Sequence, residues 1–257
     1  LAANWRLLLG LRFDQYQQDI HERLKNTLAR NDDQQVSPRV GLIYLAHAQL
    51  SFYSSFSEGF LPLSGTDFYG RAFAPEQSQS KEIGAKFRVA GIRGTLALFD
   101  ADKSNILTSD PVNVGFSAPL GKARSQGVEL DLNGMLTDHL QALFSYSYLD
   151  TRTTTDAINL DWGILLPSGS RLVNVPAHTL SATLQQQVQL SVVSLQLGGR
   201  LRYSSERLGD SVDPRYQLPA MTLWSLFAKV ELDQDWQFEA VLDSVFDHHY
   251  VQSSYSP

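Results

Sequence analysis

The stretch from Ala123 to Asp150, ARSQGVELDLNGMLTDHLQALFSYSYLD, holds two long alternating arms joined only by Thr137, Asp138 and His139. On the first arm Val128, Leu130, Leu132 and Leu136 fall on one face and Glu129, Asp131 and Asn133 on the other, the period of two that a strand imposes. The second arm sets Leu140, Ala142, Phe144, Tyr146 and Tyr148 against Gln141, Ser145 and Ser147. The pattern predicts a β-hairpin. Each arm runs to about ten residues or more, beyond the usual strand of five to six. About nine to eleven tilted residues are what a strand needs to cross the hydrocarbon core of a bilayer.

Similar runs recur along the chain, enriched in aromatic and aliphatic residues, and predict about eleven strands. In the first, Asn4 to Gln15, Trp5, Leu7, Leu9, Leu11 and Phe13 share one face while Arg6, Leu8, Gly10, Arg12 and Asp14 share the other. The others are Ser37 to Leu45, Gln49 to Glu58, Glu82 to Ala90, Gly94 to Leu107, the two hairpin arms, Ala177 to Gln187, Val193 to Ser205, Thr222 to Leu232 and Trp236 to Val245. Their connections alternate strictly. Short ones fall at Ala46 to Ala48, Gly91 to Arg93, Thr137 to His139, Val188 to Val192 and Asp233 to Asp235. Long, polar ones fall at Tyr16 to Val36, Gly59 to Lys81, Thr108 to Lys122, Arg152 to Val175 and Glu206 to Met221. In a bacterial outer-membrane barrel the periplasmic turns are short and the extracellular loops longer, so one rule of sidedness accounts for every connection.

A soluble β-sandwich also alternates apolar and polar residues. Its strands are shorter, however, and long loops gathered at one end depart from ordinary loop statistics. The charged face is heavy as well: Arg6, Arg12, Arg39, Lys86, Glu129, Asp131, Arg200, Arg202, Lys229, Glu231 and Glu239 would line a watery interior, with apolar residues turned outward. The expected class is therefore all-β, an antiparallel up-and-down transmembrane barrel.

Composition mainly excludes. A net charge of -6 in 257 residues and a pI near 5.5 leave no basic footprint for nucleic acid. There is no cysteine, hence no disulfide framework and no thiolate metal site. No run of about 18 apolar residues suits a transmembrane helix. Leu1 opens directly into Asn4-Trp5-Arg6 without a basic region or cleavage site, so the chain is expected to begin within a longer protein.

Several segments, in their order and spacing, resemble the TonB-dependent outer-membrane receptors, and in particular ferric-siderophore receptors of the hydroxamate or ferrichrome type. They are Ser37-Pro38-Arg39-Val40-Gly41-Leu42 with Tyr44; Ser51 to Phe60; Gly70-Arg71-Ala72-Phe73-Ala74-Pro75-Glu76; Glu82 to Lys86; Asn105 to Pro111; Arg124 to Glu129; Asn174 to Leu180; Leu218-Pro219-Ala220; and Val245-Phe246-Asp247-His248-His249-Tyr250. Ser244 departs from the family's usual Asn before the apolar-Phe-Asp triplet. The resemblance implies a 22-stranded barrel around an N-terminal plug. Residues 1–257 would then be about the C-terminal half of the barrel, with the plug, the TonB-contacting region and the terminal strand lying outside them. It implies a place in the bacterial outer membrane, contact with its lipid, and TonB-driven uptake of a ferric siderophore. A receptor of this build for a corrinoid or oligosaccharide, and a passive porin-like barrel, remain alternatives.

No Gly-x-Ser-x-Gly elbow, His-Glu-x-x-His helix or phosphate loop points to an enzyme. His248 and His249 are adjacent, so in a strand they would face opposite ways and read as turn residues. Glu129 and Asp131, two apart on one face, could pass for a catalytic pair. With Arg124, Arg200 and Arg202 placed on neighbouring inward faces, they read instead as a solvated charge network. A siderophore surrounds its Fe(III) completely, so no protein metal ligand and no cofactor is expected. Aromatic side chains of the long segments suit the organic shell: Phe60, Phe68, Tyr69, Phe73, Phe116, Trp162, Tyr216 and Tyr255 are the candidate ligand-binding residues. The alternative for each is packing among loops or a place in the interfacial aromatic girdle.

Overall fold

A computed structural model describes residues 3–22, 27–110, 112–158, 165–190, 193–210, 213–232 and 235–254. They contain no helix. The strands are β1 (Trp5–Glu22), β2 (Thr27–His47), β3 (Leu50–Leu61), β4 (Glu76–Val89), β5 (Ile92–Ser109), β6 (Ser117–Met135), β7 (Leu140–Thr153), β8 (Ala157–Ile158), β9 (Leu165–Leu166), β10 (His178–Leu190), β11 (Val193–Ser204), β12 (Arg207–Leu208), β13 (Gln217–Leu218), β14 (Met221–Glu231) and β15 (Gln237–Leu242). Eleven form one sheet in the order β1-β2-β3-β4-β5-β6-β7-β10-β11-β14-β15; β8-β9 and β12-β13 are two-stranded. Each long strand pairs antiparallel with its neighbour in sequence. This is the expected up-and-down order, and among the described residues no second large sheet packs on the first. Among the described residues no ladder joins β1 to β15.

The registers settle the faces. One row runs Leu96, Leu130, Tyr146, Leu180, Tyr203 across β5, β6, β7, β10 and β11. The next runs Gly94, Leu132, Phe144, Ala182, Leu201, Trp224. Between them, on the opposite face, lies Lys86, Thr95, Asp131, Ser145, Ser181, Arg202. The apolar face is open to its surroundings: Leu9 is 69% exposed and Leu11 75%. A single layer with one apolar face satisfies its backbone by ladder bonds, and only an apolar solvent satisfies that face. Tyr146, Tyr148 and His178 cluster where this face meets the loop end, with Tyr146 Oη 2.9 Å from His178 Nδ1, in the manner of an interfacial girdle.

Several expectations need correction. Tyr16 to Val36 is not a loop, because β1 and β2 remain paired from Trp5↔Tyr44 to Glu22↔Thr27. Apolar alternation is what marks a strand in sequence, and beyond Phe13 this hairpin is mostly polar with only scattered Ile20, Leu28, Ala29 and Val36, so the periodicity vanishes while the ladder continues. Likewise the connection expected at Thr108 to Lys122 shrinks to residues 110–116, and small hairpins β8-β9 and β12-β13 occupy two others. β15 ends at Leu242 rather than Val245. Arg124 faces outward: it has the parity of Val128 and Leu130, and above the apolar belt its guanidinium grips Asp100 at 2.7 and 2.6 Å.

Two local devices shape the sheet. Leu45 N–H bonds Asn4 O, so odd-numbered residues of β2 turn their amides toward β1 and Pro38 turns its ring nitrogen toward β3. The β2–β3 ladder ends at Arg39↔Ser57, one residue short of the missing donor, and the two strands part there. Elsewhere aromatic rings lie over cross-strand glycines: Tyr53 over Gly84, Phe87 over Gly94, Phe99 over Gly127 and Phe227 over Gly198 are all direct register partners. Each ring covers backbone that a side chain would otherwise cover.

Candidate functional site

The site lies at the loop end, where the loops after β3 and β5 meet. Asp67 organises the first. Its Oδ1 accepts from Tyr69 N–H and Arg71 N–H, both at 2.9 Å, and its Oδ2 from Arg71 Nε at 2.8 Å. Gly70 closes the turn at φ 76°, a conformation that suits glycine. Desolvation pushes the Asp67 carboxyl up, but the hydrogen bonds and charge from Arg71 and the Tyr69 amide outweigh it and hold the group below its usual range. A carboxyl depressed on folding gives stability that is complete above its unfolded value near 4 and is lost as pH falls through the lower folded value. Amide exchange at Tyr69 and Arg71 is therefore expected to stay unchanged between about pH 5 and 8, apart from intrinsic chemistry, and to accelerate only well below pH 4.

The second loop is built similarly. Asp110 accepts from Val112 N–H at 2.8 Å and Asn113 N–H at 3.0 Å, and Phe116 N–H bonds Asn113 O at 3.1 Å. These turns bring three candidate aromatics together. Phe68 meets Phe116 edge to face at 5.0 Å between ring centres and Tyr69 at 5.2 Å. The Arg71 guanidinium lies 5.1 Å from the Tyr69 ring centre, within cation–π range. Tyr69 is 71% exposed and Phe68 45%, so the cluster is an open apolar platform with a cation at its edge.

The other candidates separate from it. Phe73 is 5% exposed, packed against Gly65, with its carbonyl accepting from Asn31 Nδ2; it is the loop's own core and its ring is not presented to a ligand. Phe60 stacks on Tyr16 at 6.1 Å. Tyr216 is half-exposed on the β12-β13 hairpin. Trp162 and Tyr255 lie outside the described residues. Sequence reasoning passed over Asp67 and Arg71, although Asp67-Phe68-Tyr69-Gly70-Arg71 carries a recognisable turn signal, Asp followed at three by Gly.

On β6, β7, β10 and β11, away from the platform's loops, the sheet carries a hollow of about 480 Å³ lined by charged and hydroxyl side chains such as Glu129, Asp131 and Arg202 together with Tyr146, Leu180, Tyr203 and Met221. Ser145 Oγ donates to Asp131 at 2.7 Å. Among the described residues no group of three His, Cys, Asp or Glu side chains is placed to hold a metal. At the last turn Ser244 supplies the capping bond itself, its Oγ accepting from His248 N–H at 3.1 Å.

A long-stranded sheet with an apolar outer face and a charged inner face defines part of the wall of a transmembrane β-barrel. Residues 1–243 match the TonB dependent receptor-like β-barrel family, and the chain belongs to it; its strands cross a bacterial outer membrane. The metal-pseudopaline receptor CntO of Pseudomonas aeruginosa is 34% identical over 99% of this chain and 36% of its own length. The ferrichrome outer membrane transporter/phage receptor of Escherichia coli K12 is 28% identical over 96% of this chain and 33% of its own. In fold, the crystal structure of the siderophore receptor PiuA from Acinetobacter baumannii superposes with a TM-score of 0.79 at 23% identity, covering 98% of this chain and 38% of that one. The chain thus spans about a third of the length of these two relatives.

Proposed function

We propose that this chain is the C-terminal part of the barrel of a TonB-dependent receptor that imports a ferric siderophore or a related metal chelate. Further strands complete the barrel, and an N-terminal plug lies against the charged inner wall. The observation that carries this reading is the exposed platform of Phe68, Tyr69 and Phe116 with Arg71 at its edge. A chelate whose metal is fully coordinated offers only its organic shell, and stacking, apolar contact and a guanidinium suit that shell. The chelate passes chemically unchanged, so the reading calls for no catalytic residue, no resident cofactor and no nucleic acid. The resemblance to the metal-pseudopaline receptor favours a second form of the reading, in which the chelated metal is not iron.

The test is growth of a receptor-deficient strain unable to make its own siderophore, carrying the full-length receptor and supplied with ferrichrome, ferrioxamine B or metal-pseudopaline. At least one should support growth, and loss of TonB should abolish it. Tyr69→Ala should weaken binding of that chelate about tenfold, as for an exposed aromatic anchor. Growth that persists without TonB would replace the active transporter by a passive pore. Growth on none of the three would move the substrate to another nutrient.

A further inference from the structure

Among the described residues the least exposed side chain, Leu218, lies outside the eleven-stranded sheet, where three segments of the loop end meet. Leu218 on β13 is 1% exposed and Arg207 on β12 is 4% exposed. Burying a guanidinium is costly unless hydrogen bonds offset it, and here they do so in part: Nη1 is buried without a partner among the described residues, and Nη2 carries the contacts. Arg207 Nη2 donates to two successive main-chain carbonyls, Val251 O at 2.6 Å and Gln252 O at 2.7 Å. Asn174, near the end of the segment between β9 and β10, holds Ser254, two positions further on. Its Nδ2 donates to Ser254 O at 2.7 Å, and its Oδ1 accepts from Ser254 N–H at 2.9 Å, across 80 positions of sequence. Asn174 N–H reaches Leu208 O at 2.9 Å, and the Ser254 hydroxyl donates to Gly209 O. Asn174 adopts φ 64° to do so.

These bonds sew together the segment between β7 and β10, the β12-β13 hairpin and the segment after β15. The hairpin carries the candidate Tyr216, whose carbonyl accepts from Gly209 N–H at 2.9 Å beside the clasp. None of the bonds supports the membrane-spanning ladder, which is complete without them. We propose that Arg207 and Asn174 are positioning residues of the receptor's ligand-binding loops: they clasp three separate segments into one preformed unit, so that the chelate meets an assembled surface. The inference rests on the proposed reading of the receptor as a chelate transporter. Physically it is preorganisation. If opening the clasp reduces the fraction of receptors in the competent arrangement, apparent affinity falls by that fraction.

The experiment uses full-length receptor reconstituted in bilayers, with barrel formation checked by heat-modifiable electrophoretic migration. Arg207→Met keeps much of the buried stem and removes the Nη2 that bonds both carbonyls. Asn174→Gly keeps the left-handed backbone and deletes the side chain that pairs with Ser254, so it serves where the arginine variant fails to fold. Without ligand, the Ser254 amide should be protected from hydrogen exchange in the wild type and lose at least about tenfold of that protection in either variant. With whichever of ferrichrome, ferrioxamine B and metal-pseudopaline the wild type retains, the variants should show an association rate about tenfold lower at an unchanged dissociation rate, the signature of a smaller competent population. A raised dissociation rate at an unchanged association rate would mean direct ligand contact and overturn the positioning role. So would unchanged binding in a variant whose Ser254 amide has become exchangeable. An unprotected Ser254 amide in the wild type would overturn the clasp itself. A clasp present in a receptor that retains none of the three chelates would overturn the chelate reading, moving the substrate to another nutrient, and with it the role assigned here to these two residues.

Discussion

Leu197→Arg in the intact receptor is expected to destabilise the folded barrel by about 2 to 4 kcal/mol, the penalty for a lipid-facing arginine near mid-bilayer. Leu197 stands near the middle of β11, level with Ala228 on β14, and is 44% exposed on the face that carries Leu195 and Leu201. Gln196, one residue away, points to the inner wall, in register with Gln187 and Lys229. Gln196→Arg should cost far less, since the new charge enters a polar interior. The contrast depends only on parity, which is why it is diagnostic: a strand slipped by one residue would reverse it. Folding titrations into lipid vesicles read both values, and equal penalties would refute the assigned faces.

A second large effect is expected at Gly127. A Cβ there would collide with the Tyr148 carbonyl oxygen and lie 2.6 Å from the Phe99 ring. The ring can turn aside, but the carbonyl belongs to the neighbouring strand and cannot. Gly127→Ala should therefore cost about 1 to 3 kcal/mol, as overpacking does in a closely fitted site. Gly199→Ala is the control, because its Cβ would find Leu226 at an ordinary 3.5 Å. Removing glycine from a strand without a clash should be neutral or stabilise by about 0.5 to 1 kcal/mol. Denaturant midpoints for the two variants should separate accordingly, and a Gly127 variant as stable as wild type would show that the strands can spread to admit a methyl group.

The sheet was legible wherever it crosses the membrane, because lipid on one side and polar groups on the other impose a period of two on the side chains. Val128, Leu130 and Leu132 against Glu129 and Asp131 display it directly. Legibility failed where that asymmetry ends. The upper halves of β1 and β2 are as regular in backbone as the lower halves, yet Gln15, Tyr16, Gln17 and Gln18 alternate nothing. Arg124 was misplaced for the same reason: above the belt, a charge on the outer face meets water and needs no inward aim. At the site, residue type identified aromatics but not company. Phe68 and Phe116 meet across 48 positions of sequence only because Asp67 and Asp110 fold their loops, whereas Phe73 spends its ring inside its own loop. The Asn174–Ser254 pair left no local trace, since its partners lie 80 positions apart and neither belongs to a periodic run.

The polar extension of the first hairpin also has a consequence for the loop end. β1 is 18 residues long, about 60 Å at the usual rise, and about nine to eleven of those residues suffice for a tilted crossing. The remainder stands clear of the bilayer as a palisade, stiffened by continuous pairing from Asp14↔Gln35 to Glu22↔Thr27. On that side the loop end is therefore bounded by a stiff two-stranded rim rather than by a loose connection.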